Sequence, residues 1–355
     1  MKILKFSLSI VAIILASITI IFSLGSLLCK FTELPQASII QIFGYLSFYW
    51  VLVLAVIVII LILLLGKFRL AISYMTLLII FTLFLNDFSF NNYKHKIPEN
   101  SDNYENLSVA AYNVRYYSFG IEKIAKFFKS SNFDVILLSE SVLTPEKLDY
   151  LKNSLNNYTI LSDGGNDLSL LSRYPVVEFK IIELPSFRAS LRYNNDIDEL
   201  IKTGTHRSFI HAIINVNGTL VNVLSLRLIA GRPKDDTIQE NLKWGRYLMS
   251  SQIEELATFL SYLKTLKGPF IFGGDLNVPP NSGIVHEIRH YSDDAYLEKH
   301  IFGSFTFKVW HPVMRLDYIF HSIDVVVKNS EIIRIKLSDH YPIRAEFLIK
   351  KDSKH

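Results

Sequence analysis

The chain has 355 residues, of which half are hydrophobic and one fifth are charged, and its formal net charge is +4. Because 37 basic residues are nearly balanced by 33 acidic ones, the composition disfavours a tight, non-specific nucleic-acid binder, which needs a strong basic field. The single cysteine, Cys29, excludes a disulfide framework.

Three long apolar runs open the chain: Lys5–Leu28, Ala37–Leu65 and Leu70–Phe90. A helix needs about 20 apolar residues to cross a bilayer, whereas strands of globular proteins usually have about 5–6 residues. We therefore predict a three-helix transmembrane anchor over residues 1–90, in contact with the lipid bilayer through residues 5–90. A cleaved signal peptide, or a lipoprotein modified at Cys29, is the alternative for the first run. That run exceeds a signal core of about 7–15 residues, and no small-x-small cleavage site follows it.

Basic residues predict the orientation of this anchor. Lys2 and Lys5 flank the first run. Lys67 and Arg69 fill the loop between the second and third runs. Because cytoplasmic loops are enriched in Lys and Arg, the N-terminus and this loop are expected in the cytoplasm, so three crossings leave everything after Phe90 outside. The predicted location is the cell (inner) membrane, multi-pass, with an extracytoplasmic domain.

A polar, Asn-rich segment, residues 91–106, contains Pro98 and is predicted to be a linker. The remaining residues, 107–355, suffice for one sizeable domain. Strand-like runs rich in Val, Ile, Leu and aromatic residues recur in it. These runs are Leu107–Asn113, Asp134–Glu140, Leu168–Ser172, Phe209–Val216, Thr219–Leu228, Phe270–Asp275, Leu316–His321, Val325–Val327 and Ile343–Ile349.

Helical patterns lie between these runs. One covers Ile121–Phe128, a second follows an N-cap at Thr144 and runs through Leu155, and the longest lies within Gln239–Leu266. Strands outnumber helices, and the gaps are too short for a regular alternation of strand and helix. We therefore predict an α/β fold in which two packed mixed sheets carry helices outside, a four-layer α/β/β/α sandwich preceded by three transmembrane helices.

Five short polar motifs lie at the ends of these strand-like runs. They are Tyr112–Arg115, Asp134–Glu140, Gly273–Asn277, Arg315–Phe320 and Ser338–Pro342. Each motif presents a carboxylate, amide or imidazole group where a strand ends or a loop begins. Five such ends that meet would form a site for a divalent cation and a phosphate ester, which is the pattern of a metal-dependent phosphoesterase.

Glu140 is the predicted centre of the metal site. It follows a run that is apolar from Val135 to Leu138, where a carboxylate is costly to bury unless it is paired or metal-bound; an exposed loop acid is the alternative. Mg²⁺ prefers oxygen ligands, usually one or two carboxylates with water and substrate phosphate. With Asn113 and Asp339 beside it, Glu140 is expected to bind Mg²⁺, with Mn²⁺ as the alternative ion.

The other motifs supply acid–base groups. Asp275 is a candidate to orient or deprotonate an attacking water, and Asn277 a candidate to donate to a phosphoryl oxygen; an ordinary Gly-Asp turn is the alternative. His340 gains interest from Asp317, because a carboxylate fixes the tautomer of an imidazole and stabilises its cation. Such an imidazolium would neutralise charge that develops on the phosphate. A structural histidine is the alternative.

Together the motifs resemble the endonuclease/exonuclease/phosphatase superfamily, which includes deoxyribonuclease I, abasic-site endonucleases, neutral sphingomyelinases and inositol polyphosphate 5-phosphatases. The resemblance covers Ser108–Phe347. It implies Glu140 as the main metal ligand, with Asn113 and Asp339 beside it. It also implies that Asp275 aligns the nucleophilic water and that Asn277 donates to the transition state. Asp317 and His340 resemble the family's carboxylate–histidine pair.

Two positions depart from the family pattern. Ser139 stands where the family usually has Gln before its metal-binding Glu. The strand Val221–Leu228 resembles one that normally carries His at the position of Arg227, which generally faces the scissile phosphate or the leaving group. Arginine stabilises an anionic oxygen but donates no proton near neutral pH. The resemblance therefore leaves protonation of the leaving group open, and Arg227 is either part of the catalytic set or a binder of substrate phosphate.

The sequence thus predicts an enzyme, a membrane-anchored, Mg²⁺-dependent hydrolase that cleaves phosphodiester bonds in a nuclease-like manner outside the cytoplasmic membrane. The expected partner is a phosphodiester substrate, either nucleic acid or a phospholipid headgroup, and no obligate protein partner is inferred. A phospholipid or lipid-linked headgroup phosphodiesterase is one alternative, because a tether raises the effective concentration of membrane substrates. A catalytically inactive binding module on the same fold is the other, and the departures at Ser139 and Arg227 favour it.

Overall fold

The computed structural model describes residues 2–31, 48–85, 98, 101–164, 167–185, 207–230, 238–300, 304–309 and 314–351. Three helices occupy the N-terminal part of the chain: α1 (Lys2–Phe31), α2 (Phe48–Leu64) and α3 (Phe68–Leu85). They pack together through a small apolar cluster in which Ala55 and Val58 of α2 meet Ala71 of α3, with Ala16 of α1 against it. The three predicted apolar runs are therefore helical over their described residues.

Length and composition favour membrane crossing for one helix among the described residues, the stretch Ile3–Leu28 of α1, and a signal sequence at this position would meet the same criterion. The apolar stretches Val51–Leu64 and Phe68–Ile80 are shorter, within 10–17 residues. By this criterion the prediction of three spanning helices is corrected to one candidate. Parts of the second and third predicted runs, residues 37–47 and 86–90, lie outside the described residues.

Most of the predicted linker, residues 91–106, also lies outside the described part of the chain. Its last residues form a 3-10 turn, Ser101–Asn103, and the beginning of a strand that starts at Tyr104 rather than Leu107. This strand is longer than predicted because its pairing with the C-terminal strand extends to Tyr104 opposite Lys350. Pairing satisfies backbone groups whatever the side chains are, so composition does not reveal the extension.

The remaining elements follow in chain order. They are β1 (Tyr104–Asn113), α4 (Ile121–Ser131), β2 (Val135–Ser139), α5 (Pro145–Ser154), β3 (Thr159–Ser162), β4 (Leu168–Ser172), β5 (Val176–Glu183), β6 (Ser208–Val216), β7 (Thr219–Ser225), α6 (Ile238–Leu263), β8 (Phe270–Asp275), α7 (Gly283–Ile288), β9 (Asp293–Asp294), β10 (Asp317–His321), β11 (Val325–Ile332) and β12 (Ile343–Lys350). The strands form two six-stranded sheets within the described residues.

Both sheets are mixed. The first has the order β11-β12-β1-β2-β4-β3, and the second has the order β5-β6-β7-β8-β10-β9. In the first sheet β1 runs parallel to β2, so Asn113 lies opposite Ser139 at their carboxyl ends. In the second sheet β7 runs parallel to β8, and β10 pairs with β8 in the antiparallel sense, so Asp317 lies opposite Asp275. Polar residues from several strands therefore gather at one edge.

The buried apolar residues of the two sheets and their helices form three clusters. One cluster fills the space between the two sheets and includes Val109, Leu137, Val223 and Ile271. A second cluster packs α4 and α5 on the outer face of the first sheet. A third packs α6 and α7 on the outer face of the second sheet. The prediction of two packed mixed sheets with helices outside is confirmed.

The sequence missed three strands, β3, β5 and β9. β5 lies at the edge of its sheet and exposes Val177, Phe179 and Ile181, so it lacks the alternation of buried and exposed residues that identifies a half-buried strand. The predicted run Thr219–Leu228 ends as a strand at Ser225. Beyond it the backbone still follows β8, because Leu226 N–H donates to the carbonyl of Gly273 at 3.0 Å.

Gly274 marks the closest approach of backbones beside this edge. Its φ is +141°, a conformation that L side chains rarely adopt, and a Cβ atom there would overlap the carbonyl oxygen of Leu226. The same Cβ would lie 3.3 Å from the hydroxyl of Ser139 in the other sheet. Glycine at position 274 is therefore needed for β8 to place Asp275 between the two sheets.

We expect Gly274→Ala to lower the free energy of unfolding by about 3 kcal/mol, because it adds a backbone clash to a strained φ. Urea unfolding of the full-length chain in detergent micelles, followed by circular dichroism, measures the change. The matched control is Gly245→Ala in α6, where a Cβ would meet nothing within 4 Å and where alanine favours the helix. Equal stability of Gly274→Ala and wild type would show that the backbone relaxes at no cost.

Candidate active site

A cavity of about 750 Å³ opens at the edge where the polar strand ends gather. Six of the eight residues predicted from the sequence line it, namely Glu140, Arg227, Asp275, Asn277, Asp339 and His340. The other two, Asn113 and Asp317, each form a hydrogen bond to a lining residue. The structure therefore brings all eight predicted residues to one place.

His340 and Asp317 form a buried pair. Nδ1 of His340 lies 2.7 Å from Oδ2 of Asp317, and Nε2 lies 3.9 Å from Oδ2 of Asp275. Burial alone would lower the pKa of His340, but the carboxylates of Asp317 and Asp275 outweigh it and raise the pKa to about 9. His340 is therefore an imidazolium at neutral pH, and its Nε2–H points towards Asp275.

Asp317 is itself held by the loops around it. Its backbone N–H donates to Oγ1 of Thr306 at 3.1 Å. Two residues earlier, the buried Arg315 donates to Asp294 at 2.6 Å, and its guanidinium lies over the ring of Tyr318 at 4.5 Å. These contacts fix the start of β10, so the carboxylate that orients His340 has a defined position.

Asp275 is buried and has four polar neighbours. Its Oδ2 accepts from Nδ2 of Asn113 at 2.9 Å, and its Oδ1 accepts from the backbone N–H of Asn277 at 3.0 Å. Its own backbone N–H donates to Oγ of Ser139 at 3.2 Å. Burial raises the pKa of Asp275, and the imidazolium of His340 opposes that rise. Ser139, a departure from the family pattern, thus has a structural partner in the opposite sheet.

Asn277 adopts a left-handed backbone conformation with φ +53°, which asparagine tolerates better than most residues. Its side-chain amide donates to the carbonyl of Leu228 at 2.9 Å. Because an amide nitrogen carries two N–H groups, a second donor remains for another acceptor. The segment after β8 therefore places the side chain of Asn277 beside the backbone that follows Arg227.

Glu140 and Arg227 belong to a chain of ion pairs that we call the arginine network, defined by Glu140, Arg227, Asp167, Arg207 and Glu255. Nη2 of Arg227 donates to Oε1 of Glu140 at 2.8 Å, and its Nη1 donates to Asp167. Arg207 donates to Glu255 at 3.0 Å and to the carbonyl of Arg227 at 2.6 Å. Burial disfavours the charge of Arg227, but the carboxylates outweigh it and raise its pKa, so Arg227 stays charged.

The sequence analysis missed Asp167, Arg207 and Glu255. Asp167 immediately precedes β4 and Arg207 immediately precedes β6, so both lie at strand ends like the five motifs that were recognised. The position of these two residues next to apolar, strand-like runs was visible in the sequence. Glu255 lies in the middle of α6, where it accepts from the backbone N–H of Ile229 at 2.7 Å, and no pattern in a helix distinguishes such a residue from a surface acid.

A buried acid, Asp163, lies beside the arginine network. Its Oδ2 accepts from the backbone N–H of Leu168 at 3.2 Å. Burial, reinforced by the charge of Asp167, raises the pKa of Asp163 from 3.8 to about 7. The folded chain therefore binds one more proton than the unfolded chain between about pH 4 and pH 7, and Asp163 lowers stability as pH rises through this window.

We expect Asp163→Asn to stabilise the chain at pH 7 and to leave it unchanged near pH 4, because asparagine keeps the acceptor oxygen and has no charge to bury. Urea unfolding at several pH values measures the free energy of unfolding. The difference between variant and wild type will grow by up to about 1.4 kcal/mol per pH unit. Asp149→Asn, on the exposed face of α5, is the control. A constant difference across the range would contradict the assignment.

The oxygen donors near the cavity are suited to a hard divalent cation. Asn113, Glu140 and Asp339 offer amide and carboxylate oxygens, the ligands that Mg²⁺ and Mn²⁺ prefer. Among the described residues, potential ligand atoms of Asp275, Asp317 and His340 also lie within 4.8 Å of one another. The raised pKa of His340 favours a proton on its imidazole, and a protonated imidazole has no lone pair for a metal.

Each of the three central contacts joins one sheet to the other. Asn113 of the first sheet donates to Asp275 of the second, and Glu140 accepts from Arg227 in the same way. His340, which precedes β12 of the first sheet, pairs with Asp317 of β10 in the second. The site therefore lies at the junction of the two sheets and belongs to neither alone.

The two packed sheets carry carboxylates and a histidine at the edge that they share. The model of the endonuclease/exonuclease/phosphatase family matches residues 110–340. The chain belongs to the endonuclease/exonuclease/phosphatase family. Among curated protein sequences, none matches the chain.

Solved structures agree on the fold. An endonuclease/exonuclease/phosphatase from Bacteroides vulgatus is 17% identical, with a TM-score of 0.52 over 68% of this chain and 98% of that chain. A humanized TDP2 of D. rerio is 20% identical, with a TM-score of 0.50 over 68% and 98%. A mannosyl-6-phosphatase from Bacteroides thetaiotaomicron is 19% identical, with a TM-score of 0.50 over 68% and 99%. These likenesses cover most of each solved chain.

Proposed function

We propose that the chain is a membrane-anchored, Mg²⁺-dependent phosphoesterase that hydrolyses phosphodiester bonds outside the cytoplasmic membrane. The observation that carries the proposal is the buried His340–Asp317 pair, whose free imidazolium N–H faces Asp275 beside a set of oxygen donors. Burying two carboxylates and a charged histidine at one cavity lowers the stability of the folded chain, so their presence needs an explanation other than stability. Catalysis accounts for their presence.

Asn113, Glu140 and Asp339 are the residues that would hold the ion, Mg²⁺ or alternatively Mn²⁺. A divalent cation supplies charge neutralisation at the phosphate and orients the substrate. Glu140 already pairs with Arg227 through Oε1, and no hydrogen bond to its Oε2 is formed among the described residues. Oε2 is therefore the oxygen through which Glu140 would act.

The other residues bind and polarise the substrate. Asp275, held by Asn113 and by the backbone of Asn277, orients the attacking water and accepts its proton. The imidazolium of His340 and the amide of Asn277 donate to the phosphoryl oxygens, whose negative charge grows in the transition state. Arg227, whose backbone lies beside that of Asp275, adds a fixed positive charge to the cavity. This division of roles follows the family resemblance and is supported by the contacts in the site.

The proposed membrane location rests on the helical part of the chain. The stretch Ile3–Leu28 of α1 is suited to cross a bilayer, and α2 and α3 pack against it through apolar residues. Lys2 and Lys5 at the start of α1 favour a cytoplasmic position for the N-terminus. One crossing by α1 would then place the catalytic domain outside the cytoplasm.

Nucleic acid is the proposed substrate class, because the matching family is named for its endonucleases and exonucleases. The membrane anchor favours a phospholipid or lipid-linked headgroup instead, since a tether concentrates the site near such substrates. Both substrates present a phosphodiester. The mannosyl-6-phosphatase among the neighbours adds a sugar phosphate as a third compound to test.

Hydrolysis by the full-length chain in detergent micelles tests the proposal. The substrates are bis(4-nitrophenyl) phosphate, single- and double-stranded DNA, phospholipid vesicles and mannose 6-phosphate, each with Mg²⁺ or with EDTA. We expect turnover that EDTA abolishes and that Asp275→Asn reduces strongly, and the preferred substrate will separate nuclease from lipid hydrolase. No turnover from a folded chain that binds Mn²⁺ would instead identify a binding module.

A further inference from the structure

The backbone of Arg227–Ile229 lies beyond the end of β7, where the regular pairing of the second sheet stops. On one side the segment still follows β8, because Leu228 N–H donates to the carbonyl of Asp275 at 3.3 Å. On the side of β6 a side chain takes over, since Arg207 donates to the carbonyl of Arg227 at 2.6 Å. Side chains therefore supply partners to this segment that a neighbouring strand supplies elsewhere in the sheet.

Two buried polar residues of α6, Gln252 and Glu255, bond to the last peptide groups of this segment. Oε2 of Glu255 accepts from the backbone N–H of Ile229 at 2.7 Å, and Nε2 of Gln252 donates to the carbonyl of Ile229 at 2.8 Å. A buried backbone group needs a partner, and here one helix satisfies both backbone groups of one residue. We call Gln252 and Glu255 the helix clamp.

Both residues of the helix clamp make a second contact. Oε1 of Glu255 accepts from Nε of Arg207 at 3.0 Å, so both carboxylate oxygens are used. Nε2 of Gln252 also donates to the backbone carbonyl of Asn277 at 3.4 Å. The helix clamp therefore ties α6 to the segment that follows β7 and to the segment that follows β8.

The side chain of Asn277 depends on the same segment. Its Nδ2 donates to the carbonyl of Leu228 at 2.9 Å, and Leu228 directly precedes Ile229, whose N–H and carbonyl the helix clamp holds. An amide nitrogen carries two N–H groups, so the bond made by one of them fixes the direction of the other. Under the proposed function, that second N–H of Asn277 donates to a phosphoryl oxygen. The position of Leu228 and Ile229 therefore sets the direction of this donor.

Arg227 depends less on the helix clamp than Asn277 does. Its guanidinium is held at the far end of the side chain, where Nη2 donates to Glu140 at 2.8 Å and Nη1 donates to Asp167. A small shift of the backbone at Ile229 would leave these ion pairs in place. Loss of the helix clamp should therefore affect the donor of Asn277 and spare the charge of Arg227.

We infer that Gln252 and Glu255 are positioning residues, which hold the backbone of Ile229 so that the amide of Asn277 is aimed at the phosphoryl oxygen. This inference rests on the proposed phosphodiesterase function. Both act through Asn277, because the described residues that line the cavity include Asn277 and neither member of the helix clamp. A merely structural role would instead lower the stability of the chain and leave kcat per folded molecule unchanged.

Gln252→Met in the full-length chain tests the inference, with bis(4-nitrophenyl) phosphate and Mg²⁺ in detergent micelles. Methionine keeps the length of the side chain and removes the donor. We expect kcat per folded molecule to fall by about 10–100-fold, because a misplaced donor no longer meets the transition state. KM should change less than about 3-fold. Urea unfolding gives the folded fraction, and Glu254→Met, on the exposed face of α6, is the matched control.

A double-mutant cycle shows whether Gln252 acts through Asn277. Asn277→Gly removes the amide, and glycine accepts the φ of +53° at this position. In that background Gln252→Met should lower kcat by less than about 3-fold further, because the donor that Gln252 positions is already gone. An equal loss in both backgrounds would show that Gln252 acts elsewhere and would overturn the inference.

The remaining outcomes are also decisive. If Gln252→Met does not fold, Glu255→Gln goes through the same cycle, because glutamine has one acceptor oxygen and cannot serve both Arg207 and Ile229. A folded variant with wild-type kcat overturns the inference and leaves the proposed function intact. If wild type hydrolyses no phosphodiester at all, the proposed function fails and the role of the helix clamp fails with it.

Discussion

His340→Ala will lower kcat for phosphodiester hydrolysis by about 1,000-fold. The variant removes a buried imidazolium whose Nδ1 lies 2.7 Å from Asp317 and whose Nε2 faces the cavity. Removal of one preorganised donor from a developing oxyanion typically costs about 10²–10³-fold in kcat. His340→Ala also removes a full positive charge, so the expected loss of kcat lies at the upper end of this range. Steady-state hydrolysis of bis(4-nitrophenyl) phosphate by the full-length chain measures it.

Stability has to be followed in the same experiment. Without His340 the carboxylates of Asp317 and Asp275 lose their cation, which costs about 3–5 kcal/mol for a buried pair. His290→Ala, which removes an exposed histidine, controls for the substitution itself. Should the alanine variant unfold, Asp317→Asn keeps the packing and is expected to lower kcat in the same direction. A folded His340→Ala variant with wild-type kcat would exclude His340 from the chemistry.

Glu140→Gln will raise the Mg²⁺ concentration needed for half-maximal activity by about 1,000-fold. Glutamine keeps the shape and one oxygen but loses the charge that attracts the ion. Between unit charges 4 Å apart, at an effective dielectric constant of about 20, the interaction is about 4 kcal/mol. That energy corresponds to about 1,000-fold in a dissociation constant. The change should appear both in activity titrations and in Mn²⁺ binding followed by electron paramagnetic resonance.

Binding measured without substrate separates a loss of metal from a loss of catalysis. Glu254→Gln, at an exposed position of α6 away from the cavity, is the matched control and should titrate like wild type. An unchanged Mn²⁺ affinity in Glu140→Gln would remove Glu140 from the metal site. It would then leave Glu140 as the partner of Arg227 alone.

The sequence was informative wherever a strand delivers a side chain at its end. Asp275 ends β8, and Asn113 ends β1 beside β2, so periodicity and strand order suffice to bring them together. The pair of His340 and Asp317 was predictable for a chemical reason, because a carboxylate fixes the tautomer of a histidine and stabilises its cation. The positions of these residues follow from the local sequence pattern and from the pairing of strands into sheets.

Other parts depend on contacts that no local pattern records. The positive φ values of Arg115 and Tyr116 are imposed by the bond from Tyr116 N–H to Glu140, which lies 24 positions away in the chain. Glu255 resembles any acid on a helix until α6 packs on the second sheet. The anchor was overestimated because apolar composition does not fix the length of a helix, and the apolar stretches Val51–Leu64 and Phe68–Ile80 are shorter than a bilayer crossing needs.

The contacts between the two sheets mean that the site forms only when the sheets pack against each other. Asn113, Glu140, Asp339 and His340 come from the first sheet, whereas Arg227, Asp275, Asn277 and Asp317 come from the second. A chain in which both sheets have formed but have not yet docked holds every one of these side chains and has no active site. The catalytic groups therefore become a site only when the two sheets dock, so a partly folded chain with separate sheets has no place to bind a phosphate ester.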